Sequence, residues 1–239
     1  MIKNLLLLSM LMIFFSTTGC RNSKGPTDRP RSSAGTASST TALPEPVHDS
    51  PTSVEAAVQE RRSVRSFSPD PLALSEVSQL LWAAQGITSP EGKRTAPSAG
   101  ALYPVEIYLA AGQVTDLAPG LYLYDPGVHQ LILIREGDLR QDLYQAALQQ
   151  NAVRDAPAVL ILSGVYERTT GKYGERGIRY VHMEIGFSSQ NVYLQAESLE
   201  LGTVFIGAFH DDRIKRMLQF GEGETPLGLM PVGKQLTSD

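Results

Sequence analysis

The stretch RTAPSAGALYPVEIYLAAG, residues 94–112, decides how the rest of the chain is read. Its second half alternates Val105, Ile107 and Leu109 with Glu106, Tyr108 and Ala110, the pattern of a half-buried strand. Its first half enters that strand through Pro97, Ser98, Ala99, Gly100 and Ala101, closed by Tyr103 and Pro104. A surface loop needs only polarity. A run of tiny side chains around a glycine lets backbone come close to something, and a ligand is one candidate.

Outward from this stretch the pattern interleaves helices and strands. A threonine-x-x-glutamate spacing at Thr52–Glu55 predicts a helix start, and apolar periodicity predicts a second helix over about 75–84 that stops at Gly86. Strands are expected at 105–111, 121–124 and 131–135, with Asp125-Pro126-Gly127 as a turn. A helix at about 138–149 precedes an apolar strand at 158–165. The longest helix is expected over 178–201 with Gly202 as its cap, followed by a strand at 203–208, a helix at 211–218 and a last strand near 227–232. Two connections are too short for parallel crossovers, so the expected class is α+β, a mixed, mainly antiparallel sheet packed by helices.

The chain has 239 residues, 42% of them apolar, enough for one sizeable core. A net charge of −4 argues against a nucleic-acid partner, which needs a basic surface. Cys20 is the only cysteine, so there is no internal disulfide. The four histidines lack ligand-like spacing, so no metal site is expected. Lys3, the apolar run 5–15 and the small residues 16–19 read as a signal peptide, residues 1–19. An ordinary cleaved signal or a short anchor helix fits the same pattern. The placement of Cys20 after Gly19 resembles a bacterial lipoprotein signal, with Cys20 as the lipid acceptor. That implies an exported protein, lipid-anchored to a membrane on its periplasmic or extracellular face. Residues 20–51, rich in Ser, Thr and Pro, read as a disordered tether, and residues 52–239 as the folded domain.

Arg61, Arg62, Ser63 and Arg65 crowd five positions after the first helix. Arginine forks match phosphate oxygens, although a solvated basic patch has the same composition. RRSVRSF (61–67), PSAGALYP (97–104), KYGERGIRYVHMEIGFSSQNVYLQA (172–196), ELGTVFIGAF (200–209) and PLGLMPVGK (226–234) together resemble the FMN-dependent nitroreductase family, and the second and third its SagB-type, azoline dehydrogenase-like branch.

The resemblance implies a nitroreductase-like sandwich that forms a homodimer with FMN at the interface. It implies phosphate-side contacts at Arg61 and Ser63, with Arg62 beside them, and a cation, Arg65, at the flavin's pyrimidine edge. It implies that Pro97, Ser98, Ala99, Gly100 and Leu102 reach FMN from the other subunit. Gly207 and Ala208 would lie beside the ring, and Gly233 and Lys234 on the phosphate side. Lys172 and Tyr173 match a proton-handling pair, although the glycines around them also suit a plain mobile loop.

The implied function is an FMN-dependent oxidoreductase acting on an organic or peptide-derived substrate. A catalytically silent flavin-binding or interaction lipoprotein is a second possibility. An NAD(P)H-dependent nitro or quinone reductase is a third, disfavoured by an exported location.

Overall fold

The computed structural model describes residues 39–221 and 223–236. Cys20, the signal segment and the first part of the expected tether lie outside the described residues. In chain order the elements are β1 (Thr40–Ala42), α1 (Val54–Glu60), α2 (Leu74–Gln85), a single 3-10 turn (Ala99–Ala101), β2 (Val105–Ala111), β3 (Gly120–Asp125), β4 (Gln130–Glu136), α3 (Arg140–Ala146), α4 (Asn151–Asp155), β5 (Ala158–Val165), α5 (Tyr166–Tyr173), α6 (Arg176–Ser198), β6 (Leu201–Thr203), α7 (Asp211–Leu218) and β7 (Glu224–Lys234). Among the described residues the strands form one sheet in the order β1-β4-β3-β2-β5-β7-β6.

Every ladder between these strands is antiparallel. The parallel component of the expected mixed sheet is confined to isolated bridges, Ser63 to Thr203 and Leu72 to Val114. β2 sits in the middle, paired from Val105–Gly164 to Ala111–Ala158 with β5 and from Tyr108–Leu123 to Ala111–Gly120 with β3. Its position changes the reading of its side chains. Rather than half-buried, β2 is covered on both faces. Val105, Ile107 and Leu109 face one core with Leu80 and Leu81 of α2 and Ile185 and Val192 of α6. Tyr108 and Ala110 face a second core with Leu143 of α3, Val153 of α4 and Ile214 of α7. The domain is thus a three-layer sandwich, helices on both sides of the sheet.

Folding starts earlier than residue 52. β1 pairs with the edge strand β4, Thr40 opposite Ile132 and Ala42 opposite Gln130. Leu43 is buried, and Val47 gives and receives backbone hydrogen bonds with the Gln79 side chain, at 2.8 and 2.9 Å. Residues 40–47 are therefore a strap on the domain, not tether. The strap holds because edge pairing satisfies its backbone and the buried Leu43 seats it.

Three other expectations need correction. The helix expected at 138–149 is shorter: α3 ends at Ala146, Leu148 and Gln149 take φ of 54° and 58°, and the separate helix α4 begins only at Asn151. The long helix α6 ends at Ser198, and the residue that turns the chain left-handed is Glu200, φ 58°, whereas Gly202 belongs to β6. The expected strand 203–208 holds its ladder only to Thr203, with one further bridge between Ile206 and Leu229.

Candidate functional site

The residues singled out from sequence gather into two groups, and α6 touches both. The first group lies at the β6 edge. After α1 ends, the segment from Ser63 runs along β6: Val64 N–H donates to the Thr203 carbonyl at 2.9 Å, and Ser68 N–H to the Lys234 carbonyl at 2.9 Å. That brings the arginine run beside the end of β7, where Leu201 pairs with Lys234 and Gly202 with Gly233. Glycine at 202 is needed because a Cβ there would lie 2.5 Å from Val64. Gly233 is buried, and the space its side chain leaves is filled by Phe67 and Pro157, at 2.9 and 2.8 Å. The packing of Phe67 therefore requires glycine there.

The four polar residues of the run do different things. Arg61 places its guanidinium carbon 5.2 Å from the ring centroid of Tyr193. The Ser63 hydroxyl lies 3.3 Å from the Tyr193 hydroxyl. Arg65 is exposed and gives one hydrogen bond to the Ser63 carbonyl, at 3.3 Å. Arg62 turns back: its Nη1 donates to the carbonyls of Gln59, Glu60 and Arg61 at 2.8, 3.1 and 2.9 Å. It caps the carbonyl end of α1, a use that its sequence context did not reveal. Tyr193, on α6, was also missed. Its hydroxyl accepts the Phe205 N–H at 2.7 Å, so one phenol ties α6, the arginine run and the chain after β6. Gly207 and Ala208 follow that chain and are exposed. The bridge of Ile206 to Leu229 puts them five residues along β7 from Lys234, roughly 16 Å at the usual strand rise. The group is thus elongated, cationic at one end and bare of side chains at the other.

The second group is built on the 3-10 turn. Gly100 has φ 64°, and Ala101 and Tyr103 follow with φ of 54° and 44°. Left-handed backbone at two non-glycine residues out of four is strain that the surroundings must hold. The reason for glycine at 100 is contact. A Cβ there would lie 2.8 Å from Lys172 Nζ and 2.8 Å from the Tyr173 hydroxyl. The small-residue turn and the Lys-Tyr pair therefore meet within one chain. The pair does not sit on a loop. It forms the last turn of α5, which ends where Gly174, φ 57°, donates its N–H to the Thr170 carbonyl at 2.7 Å. α5 can lie that close to α6 because Gly177 has no side chain: a Cβ would meet Thr170 N at 2.7 Å. Lys172 Nζ stands 5.4 Å from the Tyr173 ring, and Tyr173 packs edge-on to Tyr180 at 5.2 Å.

Beneath the turn is a buried polar layer. The Glu184 carboxylate accepts the Ala99 N–H at 2.9 Å, and the Ser98 hydroxyl accepts the Tyr103 N–H at 2.8 Å. Burial pushes the Glu184 carboxyl above its ordinary value, partly opposed by the hydrogen bonds from Ala99 and Ser98 and by nearby Arg94. Arg94 donates to Gln85 at 3.0 Å and lies 4.4 Å from the Tyr103 ring centroid. Burial lowers the Arg94 pKa, an effect opposed chiefly by Glu106. Arg168 of α5 donates to the Tyr103 carbonyl at 2.9 Å and pairs with Glu106 at 2.6 Å. The signal that points to Glu184 in sequence is a charge at a core-facing position of an amphipathic helix, three residues from buried Val181.

The sequence profile of the Nitroreductase family matches residues 58–234. The chain belongs to the nitroreductase family. The chain is 49% identical over 177 residues to a Methanocaldococcus jannaschii protein described as a nitroreductase, covering 74% of this chain and 88% of that one. It is 26% identical over 192 residues to the trifolitoxin operon protein TfxC of Rhizobium leguminosarum bv. trifolii, spanning 54% of that longer protein. Among solved structures, a nitroreductase-type protein of Ralstonia eutropha superposes with a TM-score of 0.74 at 30% identity, over 83% of this chain and 90% of the other. A chain of the E. coli microcin synthetase McbBCD complex with truncated pro-MccB17 bound shares the fold, with a TM-score of 0.64 at 21% identity over 95% of this chain and 85% of that one. Family membership makes the protein an oxidoreductase.

Proposed function

We propose that this oxidoreductase uses FMN to dehydrogenate an organic or peptide-derived substrate, with Lys172 and Tyr173 handling the proton. The observation that carries the reading is the contact of Gly100 with Lys172 and Tyr173: an exposed, tightly turned backbone against the two proton-bearing groups. Members of the family generally bind flavin. The residues present fit one. Exposed Arg65 and half-buried Arg61 and Lys234 offer cations at the β6 edge, Ser63 offers a hydroxyl, and exposed Gly207 and Ala208 offer a surface without side chains. Arginine and serine would grip a phosphate, and Arg65 would stabilise negative charge on a reduced ring. FMN, when bound, supplies a two-electron acceptor for a hydride.

The two groups touch α6 at Glu184 and Tyr193, nine residues and roughly 13 Å apart at the helical rise. We assign them to one composite site completed by a second copy of the chain, the turn of one subunit facing the β6 edge of the other. Exposed Met183 and Phe187, one turn apart on α6, and exposed Val54 and Val58 on α1 supply apolar surface for that contact. The distant likeness to TfxC and to the microcin synthetase chain favours a SagB-type dehydrogenase over an NAD(P)H-dependent reductase.

Lys172 is an exposed residue with Tyr173 beside it, and its Nζ can take or give a proton. Lys172→Met keeps the bulk of the side chain and removes the proton. In an anaerobic screen of candidate substrates against the FMN-loaded protein, bleaching of the flavin is expected to slow by roughly 10²–10⁴-fold in Lys172→Met. FMN affinity is expected to stay as in the wild type. Equal bleaching rates for the two proteins would remove the pair from the chemistry.

A further inference from the structure

The α6 face beneath the turn carries Glu184, Ser188 and Asn191, at the i, i+4 and i+7 spacing of one helix face. Each ties down part of the path from α2 to β2. Asn191 donates to the carbonyls of Ala83 and Thr95 at 3.1 and 3.3 Å. Ser188 accepts from Gln85 at 2.7 Å, and Gln85 accepts from Arg94. Glu184, 3% exposed, accepts from Ala99, the first residue of the turn. A helix buried on this side would ordinarily present apolar residues there, as α6 does at Val181, Ile185 and Val192.

A buried carboxylate is costly unless its hydrogen bonds require it. The bond made by Glu184 lies one residue before the left-handed Gly100 and Ala101, where the strain begins. We propose that Glu184 is the positioning residue of the site: its grip on the Ala99 N–H holds the strained turn against Lys172 and Tyr173. It acts through the turn and touches neither of those two groups in the contacts above. The turn's part in binding FMN rests on the function proposed above; the positioning role does not.

Two substitutions separate positioning from simple packing. Glu184→Gln keeps an acceptor oxygen for Ala99, and Glu184→Ala removes it. The readout is hydrogen–deuterium exchange of the Ala101 and Tyr103 amides in the full chain. Both amides bond to Ser98, not to Glu184, at 3.1 and 2.8 Å. They therefore report on the whole turn and not on the lost bond itself. Exchange at both is expected to rise at least about tenfold in Glu184→Ala and to return within about twofold of the wild type in Glu184→Gln. Unchanged exchange in the alanine variant, or equal acceleration in both variants, overturns the proposal. FMN titration of the same proteins tests the other reading separately. A loosened turn with unaltered FMN affinity supports the positioning role and contradicts the assignment of the turn to the cofactor.

Discussion

Gly100 shows how a single missing side chain can serve a site. Two properties coincide there: a φ of 64° and a space already occupied by Lys172 Nζ and the Tyr173 hydroxyl. Gly92 provides the control, with φ 79° and nothing within 4 Å of a Cβ. Alanine at either position carries a similar backbone penalty, about 1 kcal/mol, measurable by denaturant unfolding. Only Gly100→Ala pushes the ends of two flexible side chains aside. Substrate-dependent bleaching is expected to fall about tenfold or more in Gly100→Ala and to stay near wild type in Gly92→Ala. Equal effects on bleaching would make glycine at 100 a backbone requirement alone. The smallness of this loop was legible in the sequence as a close approach, but its neighbours were not. Lys172 is 72 positions along the chain, and only the folded topology brings the two together. Glu184 was hidden for the opposite reason: a charged letter on a helix reads as solvated until its partner, a backbone N–H on another segment, is known.

At the scale of elements, the strands β2 and β5 and the helix α7 were legible to the residue, because a period-two alternation, a continuous apolar run and an aspartate-led start are local signals. α5 was not, because the sequence from Thr169 to Gly177 carries three glycines. Each of the latter two has a use that local propensity does not encode: Gly174 turns left-handed and Gly177 admits Thr170. α6 was read as apolar with a polar outside, so its buried polar row went unseen. That row has a consequence for stability. Burial raises the Glu184 pKa in the folded protein above the ordinary 4.5, so the folded state holds this proton more tightly than the unfolded chain. The stability due to that proton is fully present below pH 4.5 and is lost as pH rises through the raised value. Glu184→Gln has no such proton. The stability of the wild type relative to Glu184→Gln is therefore expected to fall as pH rises across this window, in chemical denaturation at a series of pH values. A constant difference across the window would show that the carboxyl titrates alike in both states.

At the scale of the molecule, the boundary of the folded domain was the part least visible in sequence. The strap at 40–47 is rich in Thr and Pro with few large apolar residues, and composition assigns such a stretch to the tether. Its order comes from partners elsewhere, the β4 edge and Gln79. The α+β class was legible because helices and strands interleave and two connections are too short for parallel crossovers. The proposed lipid anchor rests on the signal-like residues 1–19 and on Cys20 directly after them, and Cys20→Ala is expected to move the processed protein out of the membrane fraction in high salt; a variant that still sediments with membranes would contradict the lipid anchor. The β6 edge and the turn are proposed to form a flavin site. The most direct test is the visible absorption spectrum of the purified protein after mixing with FMN and desalting. A retained flavin band is expected, lost when Arg61 and Ser63 are both replaced by alanine, since each charge-assisted phosphate contact contributes roughly 1.5–3 kcal/mol, or about 10–100-fold in affinity. A protein that emerges without flavin, or a double variant that retains as much as the wild type, would contradict it.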